Sequence, residues 1–385
     1  MDGKKGAHHV LNDDTIIVGA GPAGLAVAAA LRRKNVPFEI LERNDSVGSS
    51  WRHHYDRLHL HTPKRHSALP FVPYPKTFPR YPSRDQVVEY LESYAREFDL
   101  RPEFGTNVSR CARTADDGWE VRTNHGARRA RHLVIASGFS RVPHRPSWPG
   151  LDDFAGTVLH SSEYKNSERF RAQRVLVVGF GNSGAEIALD LADHGADCAI
   201  TIRGGVNVVP REVLHIPITY LALASRSLPP RVADRLNALT IRLAVGNLAR
   251  LGIRKRNDGP LEEIVNAQRI PVVDIGTIAA IRGGRIRVCP AIESFSNDAV
   301  HFDDGRFEPF DAIVLATGYE TGLRALFEGE ESALDATGHP RTDARGAASG
   351  LHFCGFNIVP AGLIREIALE AVRIGDRIAA DRRVA

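Results

Sequence analysis

"IIVGAGPAGLAV" (residues 16–27) and "VLVVGFGNSGAEIAL" (residues 175–189) decide how this chain folds. Each is a short apolar run, then G-x-G-x-x-G, then a stretch of helical composition. In such a unit the first glycine permits the tight turn, the second lets backbone approach a pyrophosphate, and the third lets helix and strand pack closely. The helix N-terminus adds N–H donors and a partial positive charge. Working outward, "PFEILE" (37–42) reads as the strand after the first helix and "CAITIR" (198–203) as the strand after the second, so both motifs open β-α-β units. Gly19, Gly21 and Gly24 are the first set of candidate cofactor-binding residues. Gly179, Gly181, Asn182, Ser183 and Gly184 are the second, with Ser183 placed to cap the helix or bond a phosphate.

The two units end on opposite charges. Glu42 stands where a ribose-binding acid is expected, which suits an unphosphorylated adenosine ribose and repels a 2′-phosphate. Arg203 stands at the matching place in the second unit, followed by Gly204 and Gly205, and a guanidinium there can make paired charge-assisted bonds to a 2′-phosphate. The expectation is FAD in the first cradle and NADPH in the second.

At 385 residues and 43% apolar, the chain exceeds the usual size of a single core. A formal charge of +4, from 50 basic against 46 acidic residues, gives no electrostatic warrant for nucleic acid or membrane binding, and neither partner is expected. Cys111, Cys198, Cys289 and Cys354 are scattered without a C-x-x-C pair, which argues against a disulfide scaffold and a dithiol redox centre. The first residues, "MDGKKGAHHVLNDD", lack the apolar core of a signal peptide, and no apolar run reaches membrane-spanning length. A cytoplasmic protein is expected, with residues 1–13 a flexible tail.

Between the units, "TPKRHSALPFVPYPKTFPRYPS" (62–83) interleaves six prolines with Phe71, Tyr74, Phe78 and Tyr81. It cannot be regular helix or central strand, and its aromatics need a surface to bury on. Ser83 and Gln86 form a capping-box pattern ahead of "VVEYLESYAREF". Late in the chain "FDAIVLATGYE" (310–320) repeats the strand-then-small-residue pattern, and "GLIREIALEAVRIGDRIAA" (362–380) reads as a long amphipathic helix. The expected fold is α/β with two Rossmann-like dinucleotide-binding domains. The FAD-binding domain comprises 14–160 and 300–385, and the NADPH-binding domain, 161–299, is inserted in it.

"FAGTVLHSSEYKNSERF" (154–170) resembles the F-x-G-x-x-x-H-x-x-x-[YF] fingerprint of flavin-containing monooxygenases, through Phe154, Gly156, His160 and Tyr164. "VVPRE" (208–212), "GPLE" (259–262), "IPVVDIGT" (270–277) and "FDAIVLATGY" (310–319) are similar to the YUCCA branch of that family, whereas "GFNIVPAGLIREI" (355–367) departs from it. The resemblance implies an NADPH- and O₂-dependent enzyme in which a flavin C4a-(hydro)peroxide oxygenates a small organic substrate. Indole-3-pyruvate or another 2-oxo acid, with decarboxylation, is the first expectation, and N- or S-oxygenation the alternative. An NADPH reductase passing electrons to a partner is the competing class. The resemblance also implies that "GSSW" (48–51) contacts flavin through Gly48 and Trp51, and that His61 in "LHLHTPK" (58–64) sits beside it. His61 and Asn357 are the candidate catalytic residues; Gly318 and Gly355 complete the cofactor-binding set. The clustered histidines 53, 54, 59, 61 and 66 lack carboxylate or cysteine at ligand spacing, so no metal site is expected.

Overall fold

The computed structural model describes residues 14–225, 227–327, 331–341 and 350–384, so the expected tail at 1–13 lies outside the described residues. In chain order the framework elements are β1 (Thr15–Val18), α1 (Pro22–Arg32), β2 (Glu39–Leu41), α2 (Ser49–His53), α3 (Arg84–Glu97), β3 (His132–Ile135), β4 (Thr157–His160), β5 (Arg174–Val178), α4 (Asn182–Asp193) and β6 (Asp197–Thr201). There follow α5 (Pro230–Val245), α6 (Pro260–Ala267), β7 (Ile286–Cys289), β8 (Ala312–Leu315), β9 (Leu351–Phe353) and α7 (Leu363–Val384).

Two parallel sheets organise the molecule. One has the order β2-β1-β3-β9, the other β7-β6-β5-β8-β4. The central strands β1, β3 and β8 are buried along their whole length, as continuous apolar runs covered on both faces must be. On the first sheet Ile17 stands between Ile40 and Val134. Helix α1 is buried from Ala23 to Leu31, and its alanines let α7 come close: a Cβ added at Gly375 would lie 2.9 Å from that of Ala30.

The strand partners shift the expected boundaries. β8 hydrogen-bonds β5 and β4 in the second sheet, whereas the sequence reading assigned both β4 and β8 to the first unit. The chain leaves the first sheet after β3 and returns only at β9. A run buried on both faces reads the same in either sheet, so its composition does not reveal its neighbours.

Ser83 and Gln86 make the capping box at the start of α3. The Pro-rich loop ahead of it packs Tyr74 onto Tyr90 of α3 at 3.9 Å, and the Tyr90 and Tyr94 hydroxyls donate to the carbonyls of Val72 and Pro70. Phe71 differs from the expectation: it is exposed, beneath the Arg33 guanidinium. No helix among the described residues is long and apolar enough to cross a membrane.

Candidate active site

The first cradle is built by close approach. Gly19, at φ +113°, would bring a Cβ to 2.6 Å from the Ala136 carbonyl, and one at Gly24 would lie 1.8 Å from the Gly19 carbonyl. Gly21 faces open space and is the N-cap of α1, with no side chain capping the helix. Its free N–H groups therefore open toward a ligand. Glu42 is buried; it accepts from the Ala20 N–H at 2.8 Å and from the Asn44 N–H and side-chain amide, each at 2.9 Å. A carboxylate has room for a further donor, such as a ribose hydroxyl. A cavity of about 250 Å³ runs past this cradle, lined by Glu42, Asn44, Trp51, His54, Ser137 and Gly355. Open backbone, buried acid and adjoining cavity fit a dinucleotide with free ribose hydroxyls.

The second cradle repeats the arrangement. A Cβ added at Gly179, at φ +108°, would lie 2.6 Å from the Ala316 carbonyl, one at Gly184 would lie 2.0 Å from the Gly179 carbonyl, and Gly181 faces open space. Both ends of the Asn182 side chain are engaged: the amide donates to Pro271 O, and the oxygen accepts from the Val273 N–H at 2.8 Å. Asn182 thus ties the cradle to 271–273. Ser183 does not cap α4, whose N-cap is Gly181; its hydroxyl bonds the phenol of Tyr55. Arg203 is exposed beyond β6, and its carbonyl accepts from the Arg254 guanidinium at 3.0 Å. Sequence reasoning missed Arg254, which is brought to the first arginine by a bridge between Val206 and Lys255. Two guanidinium groups at the end of the second strand fit a phosphorylated ribose.

Between the cradles stands a pair that sequence reasoning half found. His61 Nε2 lies 2.7 Å from Glu186 Oε1, and the Glu186 side chain is 2% exposed. The Nδ1 of His61 is buried and has no hydrogen-bond partner. Tyr55, also buried, bonds Glu186, and burial together with that carboxylate holds its phenol well above the usual range. Burial and Lys165 push the nearby His54 down to about 4, so it is neutral. The segment from α2 onward runs from the first cavity, at Trp51 and His54, to a second of about 670 Å³ lined by His61, Glu186, Arg57, Tyr81, Arg211 and Glu212. The Pro-rich loop is tied to this cavity, since the Tyr81 hydroxyl and Arg80 both donate to Glu212, at 2.7 and 2.9 Å. The signal for Glu186 was present: with Asp190 it forms an i, i+4 pair of acids within the apolar stretch from Ala185 to Ala192, and both are buried.

The remaining candidates scatter. Gly48, at φ +66°, donates to the Ala20 carbonyl at 3.0 Å and starts α2, which presents half-buried Trp51 to the first cavity. Gly355, at φ +85°, lines that cavity and donates to Glu370 at 2.9 Å. Half-buried Asn357 follows two residues later, outside both cavity linings. Gly318 also lies outside both; its carbonyl accepts from His160 Nε2 at 3.0 Å and from the His144 N–H at 2.9 Å. The fingerprint residues likewise build frame: the fully buried Tyr164 donates to Asp190 of α4 at 2.6 Å, and Gly156 packs on Phe154. Among the described residues no three His, Cys, Asp or Glu side chains are grouped to hold a metal ion.

Two phosphate cradles on parallel sheets, with all four cysteines free and buried, define an oxidoreductase built for two dinucleotides and lacking a dithiol centre. Residues 16–216 match the pyridine nucleotide-disulphide oxidoreductase family. The chain is 45% identical over 312 residues to indole-3-pyruvate monooxygenase YUCCA1 of Oryza sativa subsp. japonica, covering 80% of this chain and 77% of that one. It is 38% identical over 379 residues to probable indole-3-pyruvate monooxygenase YUCCA1 of Arabidopsis thaliana, covering 96% and 91%. Its fold is similar to a flavin-containing monooxygenase from Stenotrophomonas maltophilia, with a TM-score of 0.72 at 22% identity over 96% of this chain and 98% of that one. The chain belongs to the YUCCA family of flavin monooxygenases, and it is an FAD-dependent NADPH monooxygenase.

Proposed function

We propose that the first cradle holds FAD and the second NADPH, on two Rossmann-like domains of which the NADPH domain is inserted in the FAD domain. We further propose that the substrate is a small 2-oxo acid of the indole-3-pyruvate type. The observation that carries the reading is the opposed charge at the two ribose positions: a buried Glu42 in one, Arg203 with Arg254 in the other. Bound FAD supplies hydride acceptance and oxygen activation. The chain's own residues bind and enclose. Gly21 and Gly181 leave room for pyrophosphate, Glu42 receives ribose hydroxyls, and the arginines receive a 2′-phosphate. His61 Nε2 and Glu186 Oε1 face each other on the wall of the second cavity, and Tyr81 with its loop screens one side of that cavity from water.

Arg211 favours the 2-oxo acid over an amine. It stacks on Tyr81 at 4.4 Å and has no ion pair among the described residues, so its charge is available to a carboxylate. The balanced reaction takes RCOCOOH, O₂, NADPH and H⁺ to RCOOH, CO₂, NADP⁺ and H₂O. The purified holoenzyme given indole-3-pyruvate should form the one-carbon-shorter acid and CO₂ in equal amounts, each matching NADPH consumed. Oxygenation of amines or sulfides with no turnover of the 2-oxo acid would sink this reading.

A further inference from the structure

Nine of the fourteen large apolar side chains exposed among the described residues fall between 214 and 270. A monomer's exposed apolar residues are ordinarily scattered, so such concentration marks an interaction surface. Its centre is α5, where Val232, Leu236, Leu239 and Leu243 are 42, 67, 67 and 77% exposed. At 100° per residue these four fall within about 60° of arc, one stripe along a helix about 24 Å long. The rest of the helix packs: Val245 is buried and Ile241 adds to the second sheet's core on the opposite side, and Ala233 is buried on the flank away from the arginines. The apolar row is thus surplus to the fold.

Charge identifies what covers it. Arg231, Arg235 and Arg242 form the row next to the leucines. Arg231 is paired with Glu262, whereas Arg235 and Arg242, and Arg250 just beyond, make no ion pair among the described residues. The helix's only acid, Asp234, is turned inward, accepting from the N–H groups of Leu261 and Glu262 at 3.0 Å each. A second copy of the chain would set this face against itself. Paired antiparallel, arginine would then meet arginine; paired parallel, the arginine row would meet Thr240 and Ala244, and in neither case does a carboxylate on the face answer it. A surface that is apolar inside and anionic at its boundary answers both rows at once.

We infer that α5 lies on an anionic lipid bilayer, leucines in the acyl boundary and arginines at the headgroups, docking the enzyme peripherally. The near-neutral charge of the whole chain conceals this because the acids that balance it lie elsewhere. The inference does not depend on the substrate proposed above.

The test is flotation of the full-length holoenzyme with phosphatidylcholine vesicles, pure or containing about a third phosphatidylglycerol. The protein should float with the anionic vesicles, stay behind with the neutral ones, and be released by high salt. Arg235→Gln with Arg242→Gln should weaken partitioning on the order of 10- to 30-fold. Leu236→Glu, Leu239→Glu and Leu243→Glu together should abolish it. FAD content and NADPH oxidation should stay at wild-type level in both variants, which shows that they fold. Wild-type protein that ignores both vesicle types, or binds them equally, overturns the inference. So does a dimer seen by light scattering that the leucine variant dissociates, since the face would then belong to a second copy.

Discussion

Gly21 and Gly24 are three residues apart and equally legible as a motif, yet they face different things. At Gly24 a side chain would collide with the carbonyl of Gly19, while at Gly21 it would meet nothing of the protein. Gly24→Ala should therefore fail at folding, giving little soluble protein and a lowered melting temperature. Gly21→Val should fold but lose FAD, read as absent 450 nm absorbance in a chain that melts like the apoprotein. Full FAD occupancy in that variant would remove the first cradle from the account. The paired arginines act on selectivity. Arg203→Ala should raise the KM for NADPH about 10-fold, the low end for a charge-assisted contact because the residue is exposed, and leave NADH little changed. Arg254→Ala should do part of the same, and equal losses for both nucleotides would make the pair structural.

Among elements, the turn chemistry was the most readable and the function of the fingerprint the least. Ser83 and Gln86 announce their helix because a capping box is local. Tyr164 and His160 resemble markers of activity, but their contacts with Asp190 and Gly318 fix strand β4 against α4 and the 318 turn, contacts that no local pattern encodes. Glu186 went unread because a helical acid is usually solvated, and only the fold shows it sealed against His61. That contact yields an expectation about coupling. His61→Ala should keep much of the NADPH-dependent flavin reduction rate while sending a larger share of consumed oxygen to hydrogen peroxide. Slow reduction with full coupling would instead put His61 at hydride transfer. Glu186→Gln should reproduce the uncoupling in part, since the buried carboxylate that faces His61 would be gone.

At the scale of the molecule, the two β-α-β units were legible and their boundaries were not, because β4 and β8 owe their place to partners distant in sequence. The join between the returning strand and the last helix also carries a pH dependence. Glu370, which accepts from the Gly355 N–H beside the first cavity, is pushed up to about 7 by burial. Its folded value stands above the unfolded one near 4.5, so the native state holds the proton longer. The stability this contributes is full below about pH 4.5 and is lost as the pH rises through about 7. Glu370→Gln should flatten that decline and melt higher than wild type at pH 8; an unchanged slope between pH 5 and 8 would show that another group carries it.

An enzyme that turns oxygen into a reactive equivalent lives beside its own oxidant whenever turnover misfires. Its four thiols are all buried, and burial holds Cys111 and Cys198 up to about 12 and Cys289 up to about 11, so almost none is present as the reactive thiolate at neutral pH. The sequence contains a single methionine, Met1, so there is no thioether among the described residues to attack. The protein is in this sense armoured against its own leakage, and uncoupled variants should keep their mass and flavin content through many cycles of peroxide release.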